Sequence, residues 1–306
     1  MFVSSATSSD GSLTAARSSR EYVTSVYTLA KPRLAAMSVL TTMIAYATAP
    51  HRLQTGSLVA TVLGTSLAAA GALSFNQWWE RDTDAVMQRT RSRPLPLRSL
   101  SPTEALAWSA GFSLGGVALL AIAVNLAAAA LAGATIVIYG AVYTPLKRRT
   151  RWATEIGSIS GALPALLGSA AAGDLWSRPG LSLTATLLFW QMPHFFAIGW
   201  KHRLDYRAVG FPLLPAIDAG GKRTALWSFA YTLLLTAISL APWTLGWFGG
   251  LYGAIAALAN GCFLLSAWRF VAARDRDRSA RNLFLTSLLY LPAMMAATLL
   301  DVFLRH

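Results

Sequence analysis

The sequence predicts an all-helical bundle that crosses a membrane about nine times, and three observations predict it. Hydrophobic residues make up 55% of the 306 and charged residues only 13%, about half the charged share of a soluble globular domain. Uncharged stretches recur along the chain, each close to the twenty or so residues that span a hydrocarbon core. The basic residues fall almost entirely on alternate connections, as orientation in a bilayer requires.

The expected spans are residues 34–50, 57–79, 104–124, 127–146, 154–172, 181–200, 224–242, 246–268 and 282–303. Residues 105–146 carry no charge and are divided near Asn125; residues 224–268 are divided at Pro242 and the cluster Gly246, Gly249 and Gly250. With these divisions, 23 of the 26 Lys and Arg lie on one side, leaving Arg52, Arg178 and Arg305 opposite. That split puts the amino terminus in the cytoplasm and the carboxyl terminus outside. The net charge of +13 therefore reflects topology, and nucleic acid is not expected as a partner. Residues 1–25 are rich in Ser, Thr and Ala without the apolar core of a signal peptide, so they are expected to be a disordered cytoplasmic tail before a single transmembrane domain, 26–306. The single cysteine, Cys262, excludes an intrachain disulfide framework and a cysteine metal site. Gly- and Ala-rich runs, Gly64 to Ala72 and Gly157 to Ala172, suggest close helix packing.

One segment fits neither a lipid-facing helix nor an ordinary loop: NQWWERDTDAVMQRTRSRPLP, Asn76 to Pro96. It follows the uncharged run Ser57 to Phe75. If that helix continues, Asn76, Glu80 and Asp84 stand at i, i+4 and i+8 on one face, within about 12 Å of rise, and Asp82 points elsewhere. Carboxylates at the end of an apolar helix are costly unless a cation sits among them. Hard oxygen donors at this spacing suit Mg2+ shared with a phosphorylated substrate. Arg89, Arg91 and Arg93 follow, before Pro94; Arg89 and Arg93, again four apart, make a guanidinium pair suited to a diphosphate. The competing reading is an interfacial helix end whose acids pair with Arg81 and whose arginines only set orientation. It accounts for Arg91 but leaves the Asn/Glu/Asp spacing unexplained, because orientation needs no acids on one face.

A second constellation is YTPLKRRTR, Tyr143 to Arg151. Tyr143 and Lys147 are four apart provided that Pro145 leaves a helical turn intact. A phenol beside an ammonium binds phosphate oxygens, and Lys147 would offset the charge of a departing diphosphate. Arg148, Arg149 and Arg151 are equally well explained by topology.

The segment from Asn76 to Asp84, with RTRSRPL after it, resembles the first motif of the UbiA superfamily of intramembrane prenyltransferases, whose pattern is Asn-x-x-x-acid-x-x-x-Asp. In detail it is most similar to the branch that farnesylates haem, and the likeness covers most of the chain after about residue 25. Tyr143 and Lys147 match the superfamily's Tyr-x-x-x-Lys diphosphate pattern. In WQMPHFFAIGWKHRLDYRAVGFPLLP, Trp190 to Pro215, the superfamily's Asp-x-x-x-Asp falls on Lys201 and Asp205. The first carboxylate of that pair is missing here, so the resemblance implies Asp205 at the metal and leaves Lys201 to touch the diphosphate. His194, after Pro193, is by default a neutral, hydrogen-bonded packing residue. The Pro-His-Phe context resembles the haem-specific branch and implies instead that His194 meets haem, at iron or along the porphyrin edge. Relatives tend to have Asn where Ala153 stands, and Glu155 behind it is explained as an acid in a first helical turn.

The resemblance thus implies a UbiA-like fold and an enzyme that moves farnesyl from farnesyl diphosphate to haem B, giving haem O, with Mg2+ as cofactor. The short amino-terminal tail favours a bacterial cytoplasmic membrane over a mitochondrial one, and a downstream haem A synthase is expected as a partner. Two other functions remain in view. Prenylation of an aromatic quinone precursor such as 4-hydroxybenzoate has the Pro-His-Phe stretch against it. A secondary transporter would place its charges near the midplane in paired broken helices, whereas these charges crowd one face.

Overall fold

The computed structural model describes residues 18–49 and 54–305, and helices occupy the places where the sequence has its uncharged runs. A short α1 (Ser19–Ala30) leads into α2 (Pro32–Ala47), α3 (Thr55–Val86) and α4 (Pro102–Ala123). Helix α5 (Leu126–Ile136) continues through π-helical turns, Val137–Tyr143, into α6 (Thr144–Leu146). Then come α7 (Ala153–Ala171), α8 (Arg178–Lys201), the short α9 (Arg203–Ala208) and α10 (Leu214–Ile217), and finally α11 (Lys222–Thr244), α12 (Gly250–Ala272) and α13 (Arg276–Arg305). Each expected span coincides with one long helix when residues 126–146 are taken as continuous. Among the described residues, seven of these helices are long and apolar enough to cross a membrane. The other two, α2 with 16 residues and α7 with 19, are the shortest of the set.

The amino-terminal boundary differs from expectation. Residues 18–25, assigned above to a disordered tail, form the cap and first turns of α1. The Ser18 hydroxyl accepts the Glu21 N–H at 3.2 Å and the Glu21 carboxylate accepts the Ser18 N–H at 3.0 Å, satisfying two donors that a helix start leaves open. Residues 1–17, 50–53 and 306, with His51, Arg52 and His306, lie outside the described residues.

Small residues set the closest helix pairs. Helix α3 packs along α4 more extensively than any other pair. A Cβ at Gly116 would fall 2.5 Å from the Ala68 backbone nitrogen, so only glycine allows that approach. Helix α7 links two halves: it packs on α2 and α5 on one side and on α8 on the other, and α8 in turn packs on α11 and α13. The half built on α8 and α11 to α13 has a core of large side chains such as Tyr252, Phe263 and Phe270; the other half is filled by Ala68, Ala128, Ala129 and Ala132. In the core of the α8 and α11–α13 half, polar groups pair with one another, as a hydrocarbon surrounding demands. Asn260 Nδ2 donates to Ser239 Oγ at 2.8 Å, and the Tyr290 hydroxyl donates to Asn260 Oδ1 at 3.1 Å.

At one end of the bundle, α1 lies over the last turns of α3. Leu29 packs with Leu95, Leu100, Ala105 and Trp78. Gln77 Nε2 donates to the Leu29 carbonyl at 2.6 Å and to the Thr28 carbonyl at 3.3 Å. These contacts fix the α1–α2 junction over the segment that carries the acids.

Candidate active site

Helix α3 has no breaker between Phe75 and Val86, and it ends only where Met87 turns extended (φ −75°, ψ 129°). The expected stripe therefore forms. Asn76, Glu80 and Asp84 are 3%, 2% and 0% exposed, whereas Asp82 faces outward beside Arg81 at 3.8 Å. Buried oxygens cannot use water, so each needs a partner from the protein. Each of these three finds a cationic side chain, and the three come from separate segments.

Lys147 serves Glu80. The Lys147 N–H reaches the Tyr143 carbonyl at 3.0 Å, so the turn survives Pro145 as the spacing required. Lys147 Nζ then lies 2.8 and 3.1 Å from the two Glu80 oxygens. Burial alone would lower its pKa, but the Glu80 carboxylate holds it well above the ordinary lysine range. The ammonium sits 5.5 Å from the centre of the Tyr143 ring and 5.4 Å from that of Phe211. Tyr143 is the last residue of the π-helical stretch, and α7 passes close to it: a Cβ at Gly157 would meet the phenol ring at 2.7 Å. Such bulges are frequent at functional sites.

Arg93 serves Asp84, with Nη1 2.5 Å from Oδ2. The expected Arg89–Arg93 pair does not form a helical face, because the chain from Met87 to Leu100 is a series of turns. Arg93 reaches back into the site while Arg89 stays exposed. Arg91, Arg148, Arg149 and Arg151 are exposed as well, in keeping with a role in orientation.

Lys31 serves Asn76. Its Nζ donates to Asn76 Oδ1 at 3.3 Å, and Asn76 Nδ2 donates to Thr144 Oγ1 at 3.3 Å. The stem of Lys31 is partly exposed and its ammonium densely surrounded; burial, with the Arg93 charge nearby, pushes the group down to about 7. Sequence reasoning counted Lys31 only as a topological charge. Its position before Pro32 marks a helix boundary, but nothing local signals that the side chain turns toward a residue 45 positions away.

Asp205, expected at the metal, stands at the rim. Its Oδ1 accepts the Gln88 N–H at 3.3 Å and its Oδ2 lies 3.9 Å from His202 Nδ1. Its partners are thus the turn following α3 and its own neighbour, not the α3 stripe. Burial, with the charges of Arg89 and Lys201 close by, holds the His202 imidazole below its usual range. Lys201 ends α8 and is exposed. The roof between α9 and α10 contributes Phe211, which packs with Met87, Tyr206 and Leu213.

His194 is deep in α8, 9% exposed. Its Nδ1 is 2.7 Å from Ser287 Oγ, and its ring stacks on Trp190 at 4.8 Å and meets Phe284 at 5.1 Å. No hydrogen bond reaches Nε2 from the described residues. Glu155 lies in the first turn of α7, where the helix dipole favours an acid.

Residues 38–289 match the UbiA prenyltransferase family. The chain belongs to that family. It is 42% identical to the protoheme IX farnesyltransferase of Opitutus terrae over 273 residues, 89% of this chain and 92% of that protein. With the protein of the same name from Solibacter usitatus it shares 41% over 80% of this chain and 83% of that one. Among solved structures, a digeranylgeranylglyceryl phosphate synthase superposes with a TM-score of 0.78 at 16% identity, covering 92% of this chain and 99% of that one. A UbiA homolog from Archaeoglobus fulgidus bound to DMAPP and Mg2+ superposes with a TM-score of 0.66 at 15% identity, covering 90% and 99%. The all-helical UbiA fold expected from the motifs is the fold observed.

A divalent metal is implied by this family, and the UbiA stripe has the chemistry to hold one. Among the described residues Asp84 Oδ1 is buried without a hydrogen-bond partner, an oxygen left for a ligand. Glu80, Asp84 and the Asn76 amide are hard oxygen donors of the kind Mg2+ takes. Only two acids contribute, and among the described residues no three of His, Cys, Asp and Glu gather as a metal site. The family's metal would therefore depend on the amide and on oxygens from a substrate.

Proposed function

We propose that this protein transfers the farnesyl group of farnesyl diphosphate to a vinyl group of haem B, forming haem O and releasing diphosphate. It acts in a bacterial cytoplasmic membrane, with its amino terminus and its active site toward the cytoplasm and its carboxyl terminus outside. The observation that carries the reading is the convergence of Asn76, Glu80 and Asp84 on Lys31, Arg93 and Lys147 at the end of an apolar helix. Acids that could share a metal, faced by cations that could take phosphate, suit an allylic diphosphate at a lipid boundary. The acceptor follows from the relatives named protoheme IX farnesyltransferase, 34–42% identical over most of their length.

Bound Mg2+ would supply positive charge to the diphosphate oxygens, held by Asn76, Glu80 and Asp84, with Asp205 of α9 as a further oxygen donor at the rim. The residues of this chain do the rest. Lys147 and Arg93 bind the diphosphate and neutralise charge as the allylic C–O bond breaks and its electron pair leaves with the phosphate oxygen. Tyr143 orients Lys147 and donates its phenol to a phosphate oxygen; Arg89 and Lys201 draw the anion in from the rim. Phe211 and the Tyr143 ring, which flank the Lys147 ammonium, keep water from the allylic cation. The vinyl π electrons attack that cation, and a water molecule adds to the carbon left positive beside the porphyrin, losing a proton to give the hydroxyl of haem O. His194, pinned through Nδ1 by Ser287, presents Nε2 to the haem. The product then passes to a haem A synthase.

The test is mass analysis of products after purified protein is incubated with haem B, farnesyl diphosphate and Mg2+. Haem O and diphosphate in equal amounts are expected. Prenylation of 4-hydroxybenzoate with haem left unchanged would replace the acceptor, and no diphosphate release with either acceptor would remove the enzyme reading in favour of transport.

A further inference from the structure

We propose that the cleft between the first turn of α7 and the first turns of α11 binds the headgroup of a membrane phospholipid that carries a primary ammonium, with the ammonium on Glu155 and the phosphate on Arg151. The site is separate from the stripe. Ala153 and Gly157 turn the near face of α7 toward Tyr143 and Phe211, and Glu155, two residues from each, lies about 200° around the helix.

The first observation is an oxygen with nothing to bond. Among the described residues, Glu155 Oε2 is buried without a hydrogen-bond partner. The helix dipole explains an acid in this turn, but not a carboxylate oxygen shut away from water, which is costly until a donor reaches it. The nearest candidate donor is turned elsewhere: Arg151 stands just before α7, and its guanidinium lies over the Trp152 ring, 4.4 Å from the ring centre. The second is the space beside that oxygen. A cleft of about 10 Å³, room for one water-sized group, is bounded by Arg151, Trp152, Glu155, Leu214 and Trp227. The third is the level of the cleft in the fold. Helices α7 and α11 both pack on α8, which forms the floor between them, and at the mouth the Trp152 and Trp227 rings meet edge to face at 5.8 Å. Both indoles are more than a third exposed, at a helix end where tryptophan marks the headgroup layer. One turn deeper on α7 and two on α11, Ile159 and Leu234 continue the same faces with exposed apolar side chains, a track for an acyl chain.

These parts fit one lipid chemistry. An ammonium is the size of the cleft, donates N–H to Oε2 and gains from the indole faces beside it. The phosphodiester a few bonds away meets Arg151, which the sequence counts only as an orienting charge. A trimethylammonium is too bulky for this space and has no N–H to give, and a phosphoglycerol headgroup has no cation for Glu155. The carboxylate therefore selects phosphatidylethanolamine over phosphatidylcholine and phosphatidylglycerol.

The experiment offers purified wild type, Glu155→Gln, Arg151→Gln and Trp227→Leu, in detergent, equal amounts of phosphatidylethanolamine, its mono- and dimethyl derivatives, phosphatidylcholine and phosphatidylglycerol with identical acyl chains. Retained lipid is counted by native mass spectrometry, with helical content and melting temperature as folding controls. Wild type is expected to retain phosphatidylethanolamine about tenfold over phosphatidylcholine, the effect of one charge-assisted hydrogen bond, with the methylated forms in between. Glu155→Gln abolishes that preference and leaves phosphatidylcholine retention unchanged, whereas Arg151→Gln weakens both lipids together. A merely structural role for Glu155 would lower the melting temperature without changing the order of lipids. Equal retention of the ethanolamine and choline lipids by wild type, leaving only a water in the cleft, overturns the proposal, as does a preference that survives in Glu155→Gln. Stronger retention of phosphatidylglycerol than of either overturns it in favour of an anionic lipid on Arg151 alone. Should Glu155→Gln fail to fold, the methyl series on wild type and a reduced ethanolamine preference in Trp227→Leu decide the matter. None of these readouts depends on the prenyl acceptor.

Discussion

Replacing Glu80 by Gln separates the chemistry of the stripe from its architecture. Glu80 is 2% exposed and gives both oxygens to Lys147 at 2.8 and 3.1 Å. Removing one member of a buried ion pair costs roughly 3–5 kcal/mol, because the other charge is left unanswered. The Gln carbonyl still accepts from Lys147, and a hydrogen bond to a charged group recovers about 1.5–3 kcal/mol. The net loss of stability is then about 2 kcal/mol, so the variant remains folded. Turnover should fall far more. The carboxylate that would hold the metal is gone and Lys147 loses the partner that positions it, so a drop of about a thousandfold is expected, roughly 4 kcal/mol in the barrier. The assay is haem O formation measured by chromatography on protein matched for folded fraction, with thermal unfolding in the same detergent. The double variant Glu80→Gln with Lys147→Met, which leaves no buried charge at that pair, should recover stability and not turnover. A Glu80→Gln enzyme that works within about threefold of wild type, or loses activity only in proportion to its unfolded fraction, would refute the reasoning.

Three further outcomes follow from the same geometry. Asp84→Asn should cost at least about a hundredfold in turnover and Asp205→Asn less than about tenfold, because Asp84 offers the unpartnered buried oxygen while Asp205 is engaged by Gln88 and His202; equal losses would place Asp205 at the metal from the start. His194→Ala should shift the absorbance of bound haem and weaken its binding, and an identical spectrum and affinity with a lowered melting temperature would leave His194 as a packing residue held by Ser287 and Trp190. Chelation should stop diphosphate release and added Mg2+ restore it, and turnover that survives chelation would remove the metal from the scheme.

What the sequence made legible was what repeats or runs along one helix. The long helices could be placed because an apolar run of fixed length has few alternatives in a bilayer, and α2 to α5, α7, α8 and α11 to α13 fall where the uncharged stretches do. The stripe could be read because Asn76, Glu80 and Asp84 belong to one continuous helix, where a spacing of four fixes a face. The same rule failed at Arg89 and Arg93, since no helix runs from Met87 to Leu100. It also could not see α1, nor the inward turn of Lys31, nor the rim position of Asp205. Those depend on contacts between residues 45 to 117 positions apart, which local spacing does not encode.

The charges counted for topology turn out to divide into two physical kinds. Arg91, Arg148, Arg149 and Arg151 are exposed, and their number on one side is all that orientation needs. Lys31, Arg93 and Lys147 lie on the same side but turn inward, where an isolated charge would be intolerable without Glu80, Asp84 and Asn76 to receive it. A charge tally cannot distinguish them; burial can, because only a buried cation has to be matched atom by atom. The inward set therefore marks where an anionic substrate can exchange places with the protein's own acids, and it does so without reference to any motif.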